Sequence, residues 1–120
     1  ASAAPASAPR AAGPVEAVTA SVAAGPCAPG ATCQVGVRVS LKPSPLPRRV
    51  SWTVGILDAC TGRFAPLLAD SVQARPGWTS VLDTTSLAVP RRASGWLVAV
   101  VHTPATAMSG HLPLGPPPAC

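Results

Sequence analysis

Residues 33–42 read Cys-Gln-Val-Gly-Val-Arg-Val-Ser-Leu-Lys, and this alternation decides the fold class. Cys33, Val35, Val37, Val39 and Leu41 fall on one face, and Gln34, Gly36, Arg38, Ser40 and Lys42 on the other. Successive side chains of an extended backbone point to opposite sides, so a strict period of two marks a strand with one face in a core. Pro43, Pro45 and Pro47 end it, because proline cannot donate to a sheet ladder.

The same pattern recurs on both sides. Downstream, Val50, Trp52, Val54 and Ile56 share a face opposite Ser51, Thr53 and Gly55, and Thr61-Gly62 supplies a turn. Upstream, Val18, Ala20 and Val22 alternate with Thr19 and Ser21 before the Gly25-Pro26 turn. Further along, the spacing predicts short strands over 71–74 and 78–85. An apolar run follows over 96–102, with Trp96, Val98 and Val100 opposite Leu97, Ala99 and Val101. Both faces of that run are apolar, as a central strand requires. A last strand is expected over 108–114, weakened by Pro113. About seven short strands with regular turn signals predict an all-β, immunoglobulin-like two-sheet sandwich over residues 15–120, with Trp52 and Trp96 in its core. The sixth strand carries Val98 and Val100 where an immunoglobulin domain has its second core cysteine, so the usual inter-sheet disulfide is missing.

Composition agrees. The chain has 120 residues, enough for one ordinary domain. Hydrophobic residues are 48% and charged residues 11%, which excludes a highly charged disordered chain. Sixteen prolines exclude a bundle of long helices. No apolar run approaches the ~18 residues of a membrane-spanning helix. Residues 1–14 are almost entirely Ala, Pro and Ser and read as a flexible stalk or tail. No charged stretch followed by an apolar one opens the chain, so it reads as a mature product or an excised ectodomain, with a tether upstream remaining open.

Four cysteines in a small domain predict two disulfides and an extracellular or cell-surface location. The gaps separating Cys27, Cys33, Cys60 and Cys120 do not match the close pairs of zinc sites. If the strands run up and down, all four thiols meet at one pole of the sandwich, and more than one pairing is reachable. The preferred pairing is Cys27 with Cys33 across a short loop, and Cys60 with Cys120, which ties down the C-terminus.

Signals for catalysis are thin. The acids are Glu16, Asp58, Asp70 and Asp83, with no close pair in sequence. There is no serine-nucleophile elbow and no phosphate-binding glycine loop. His102 and His111 lie near the ends of neighbouring strands and read as surface residues. The expectation is a non-enzymatic protein with no cofactor, no metal and no catalytic residues. The net charge of +5 divides between the poles: Arg48, Arg49 and Arg75 at one, Arg63, Arg91 and Arg92 at the other. A split charge is not a nucleic-acid groove. Phe64, Leu67, Leu68 and Trp78 have no place in the alternating core and, with Arg48 and Arg49, form the expected ligand or partner surface.

One resemblance bears on these expectations. The run Val-Ser-Trp-Thr-Val-Gly-Ile-Leu-Asp-Ala-Cys-Thr-Gly at 50–62 resembles a strand-and-turn of extracytoplasmic domains from high-GC actinobacterial proteins. So do the Cys27–Cys33 spacing, Pro90, the 96–102 run, Thr-Pro-Ala-Thr-Ala at 103–107 and the final cysteine. It implies an exported immunoglobulin-like module, often held near a membrane. Residues 33–36 are also similar to a fragment of the actinomycete enediyne-carrier apoproteins, although the cysteine positions and charge differ from theirs. The expected function is therefore a monomeric extracytoplasmic binding, interaction or sensor module. Its partner would be a protein, a cell-wall polymer or a small molecule. The alternatives are a small-molecule carrier with a dry pocket near Phe64, Leu67, Leu68 and Trp78, or an enzyme inhibitor presenting the 27–33 or 43–47 loop.

Overall fold

The computed structural model describes residues 8–115. Within them the chain is all-β, and its two antiparallel sheets pack as an immunoglobulin-like sandwich. The strands are β1 (Val15–Ala24), β2 (Thr32–Leu41), β3 (Arg48–Asp58), β4 (Phe64–Ala74), β5 (Ser80–Ala88), β6 (Gly95–Thr103), β7 (Ala107–Met108) and β8 (Leu112–Pro113). One sheet runs β1-β2-β5 and the other β4-β3-β6-β7, with β8 also on β6. The fourth strand therefore lies beside the third instead of joining the sheet of the fifth, as it does in constant-type immunoglobulin domains.

The strictly alternating strand is the centre of its sheet. Val35, Val37, Val39 and Leu41 of β2 are at most 1% exposed. They face Trp52, Val54 and Ile56 of β3 and Leu97, Ala99 and Val101 of β6 in one continuous core. Flanking partners on both sides explain the clean pattern: Val39 of β2 pairs Val18 of β1 and Val81 of β5. Val22, by contrast, is 46% exposed near the end of β1, where the register shifts.

Trp96 is a correction. On β6 the core side holds Leu97, Ala99 and Val101, so Trp96 lies on the outer face of the sheet, half-buried. There Leu57, Val98, Val100 and Met108 form a second buried cluster, with Ala8, Phe64 and Trp96 packed against it. The two-faced apolar run is a central strand, as its sequence predicts, and it serves two clusters. Phe64 lies over Gly55, where a Cβ would collide with the Ala65 carbonyl and come 2.7 Å from Phe64 Cζ.

The fourth strand is much longer than the 71–74 expected, running Phe64–Ala74. Pro66 hid it, yet β4 is an edge strand, where a missing donor is tolerated. The ladder skips Leu67: Leu68 pairs Val54 and Pro66 pairs Gly55. A bulge of this kind re-aims side chains. The last strand is split into β7 and β8. Contacts with the domain begin before Val15. Pro9 accepts a hydrogen bond from the Met108 amide at 2.8 Å, and Ala12 bridges to Val15. The remainder of the expected stalk, residues 1–7, lies outside the described residues.

Of the two expected disulfides, Cys27–Cys33 is formed, with 5.2 Å between the Cα atoms. No described cysteine is free. The expected Cys60–Cys120 pairing involves a residue outside the described segment.

Candidate functional site

Alternating strand direction sends the β2–β3 and β4–β5 loops to one end of the sandwich. The β1–β2, β3–β4 and β5–β6 loops go to the other, which carries the disulfide. The residues expected to form one surface are thereby separated.

At the first end, the 43–47 and 75–79 loops are tied together. The Gly77 amide donates to the Ser44 carbonyl at 2.8 Å, and Arg48 donates to the Trp78 carbonyl at 3.4 Å. Proline at 43, 45 and 47 limits the backbone of one loop, and Gly77 turns the other at φ 83. The joined tip presents Leu46 at 68% exposure and Trp78 at 40%. Lys42, Arg48 and Arg75 belong to the same end of the sandwich, while Arg49 bonds Ser71 at 3.1 Å. Neither loop contains an acid, though Glu16 starts β1 at this end. A shallow groove of about 410 Å³ runs along Gly77, Trp78, Thr79 and Ser80.

The disulfide end is built differently. Asp58 closes the β3–β4 turn: its carboxylate accepts from the Cys60 and Thr61 amides, both at 2.8 Å. These bonds stabilise the ionised form and hold the Asp58 carboxyl below its ordinary range, the Thr61 amide most of all. Gly95 enters β6 so close to β3 that a Cβ would collide with the Leu57 carbonyl, and its φ is 118°. Gly30 and Ala31 bind the disulfide loop to Val89 through backbone bonds of 2.9 Å. Between the 58–63 turn and the 90–94 loop opens a more enclosed cleft of about 340 Å³. Its walls are Ile56, Ala65, Leu67, Pro90 and Ala93, with Arg63 and Arg92 beside them.

Of the six expected surface residues, Leu67 therefore lines the disulfide-end cleft, while Trp78 and Arg48 belong to the tip. Leu68 packs against the core, and Phe64 covers the outer-face cluster. The Leu46 tip was not expected, since Leu46 sits alone between prolines. Arg63 and Arg92 were expected at one pole, but the cleft that both line was not.

His102 and His111 do not come together. His102 Nε2 bonds Thr53 Oγ1 at 2.8 Å, and His111 lies against Trp96 with ring centroids 5.0 Å apart. Among the described residues no group of three or more metal-ligating side chains forms. Two acids that are distant in sequence do meet. Asp70, paired with Trp52, and Asp83, paired with Val37, face each other across the open edge between β4 and β5. Asp83 Oδ2 is buried and has no donor. Two carboxylates cannot bond, but one proton between them can satisfy both. Burial first, and Asp70 second, push the Asp83 carboxyl upward.

The fold and both ends thus define an immunoglobulin-like sandwich with a basic, apolar tip and a separate cleft. The chain matches no protein-family model, no curated protein and no solved structure.

Proposed function

We propose that this domain is a non-enzymatic interaction module of an exported protein, and that its tip engages an anionic lipid surface. The observation that carries the reading is the tip itself: Leu46 and Trp78 exposed on loops bonded to each other, at the end of the sandwich that also carries Lys42, Arg48 and Arg75. Leucine and tryptophan at a loop tip suit the headgroup boundary, where an apolar body is buried and a polar edge stays wet. Each nearby cation adds about 1 kcal/mol on an anionic membrane. Burying one large apolar side chain adds about 2 kcal/mol. The sum supports weak, reversible, salt-dependent association. Bonded loops lose little freedom on binding, which limits the ordering cost. The Cys27–Cys33 disulfide is compatible with an oxidising, exported location. No helix among the described residues is long and apolar enough to cross a membrane.

The test is co-sedimentation with phosphatidylglycerol vesicles and with phosphatidylcholine vesicles. Binding to the first only, weakened by salt and lost in Leu46→Ser/Trp78→Ser, is the expected result. Equal partitioning to both vesicle types, or binding that survives the double substitution, would refute it.

A further inference from the structure

We propose that the disulfide-end cleft is a second binding site, which takes a small apolar molecule carrying one carboxylate. The site is independent of the tip and lies at the opposite end of the strands.

The cleft exists because small residues end the core there. Ala65 and Ala93 leave unfilled the space that larger side chains would occupy above Ile56, itself 5% exposed. Leu67, the residue skipped by the β4 ladder, supplies one wall. A volume of about 340 Å³ sits at the lower end of the range for small-molecule sites. Aliphatic walls ask for an apolar body.

The head group follows from charge. Arg63 and Arg92 both line the cleft, and among the described residues neither guanidinium has an acidic partner or a side-chain hydrogen bond. A guanidinium fork matches a carboxylate with two parallel donors. Asp58 also borders the cleft, but its carboxylate is occupied by the Cys60 and Thr61 amides. Two guanidinium groups and one ionised carboxylate leave a single positive charge, which one carboxylate neutralises and a phosphate dianion overshoots.

Amide chemical shifts of the whole chain, titrated with decanoate, 1-decanol and decyl phosphate, test the assignment. Decanoate should shift the Ala65, Ala93 and Ser94 amides saturably and leave Trp78 unmoved. Decanol should bind at least about tenfold more weakly, the loss expected for one charge-assisted hydrogen bond. Arg63→Gln/Arg92→Gln should reduce decanoate affinity to the level of decanol, and Leu67→Glu should abolish it, with strand content checked by circular dichroism. Leu46→Ser, at the far end, should bind decanoate normally. Equal affinity for acid and alcohol, preference for the phosphate, or no saturable shift would overturn the proposal. Vesicle binding by the tip decides none of these outcomes.

Discussion

The two ends of this sandwich solve the same problem in opposite ways. Each must close strands with loops and carry positive charge. The tip does so with prolines and a few backbone bonds, leaving Leu46 and Trp78 in solvent. The disulfide end uses a covalent loop, a carboxylate-capped turn and a glycine contact, and encloses a cleft. The lesson is that local chemistry decides where change is tolerated. A loop held by its own stiffness accepts substitution, whereas an end held by close contacts does not.

Gly95→Ala strikes the disulfide end hardest. The new Cβ meets the Leu57 carbonyl at a left-handed φ, and stability should fall by about 3 kcal/mol or more in urea unfolding. A loss below about 1 kcal/mol would mean that this end is looser than its contacts imply.

Replacing Cys27 and Cys33 together by serine should cost about 2 kcal/mol, because the ring is short and removes little chain entropy. Thermal unfolding of the variant against the parent, both without reductant, checks the figure. An unchanged Tm would show that closing this loop adds nothing to stability.

The acids give smaller effects with opposite pH signatures. Asp58 is depressed when folded, so its contribution exists above the ordinary carboxylate value of 3.8 and fades as pH falls through the lower folded value. Asp58→Asn should therefore lower Tm at neutral pH, with the difference from the parent disappearing in acid. Asp83 is raised when folded, so its stabilising contribution exists in acid and is lost as pH climbs from 3.8 through the raised value. Asp83→Asn should raise Tm at neutral pH and leave it unchanged in acid, since the amide can donate to Asp70 without titrating. A neutral-pH Tm that falls in this variant would show that the two carboxyls do not share a proton.

Leu46→Ser should change stability by no more than about 0.5 kcal/mol, because a solvent-facing loop residue contributes little packing. A larger loss would erase the contrast between the two ends.

Legibility followed burial. The β2 and β3 alternation was readable because both strands are paired on each side, so every inward position must be apolar. The fourth strand was not, because an edge strand carries a proline, a bulge and Asp70 without losing its place. The sequence does not say which cluster Trp96 joins, since two apolar faces look alike until their neighbours are known. The short disulfide was legible from a six-residue spacing. The candidate sites were only half visible. Trp78, Arg48 and Leu67 stood out as residues without a core position, but nothing in their order says which of them meet.

The sequence by itself therefore determined the central strands β2, β3 and β6, the inward faces of β2 and β3, the short disulfide loop and the division of charge between two ends. Each depends on side-chain periodicity or short spacing, which the backbone imposes locally. Only the tertiary structure decided that the Leu46 loop is bonded to the Trp78 loop, that Arg63, Arg92 and Leu67 line one cleft, and that Asp70 meets Asp83. Those pairs are brought together by sheet order and loop convergence, and contacts between distant segments leave no period in the chain that makes them.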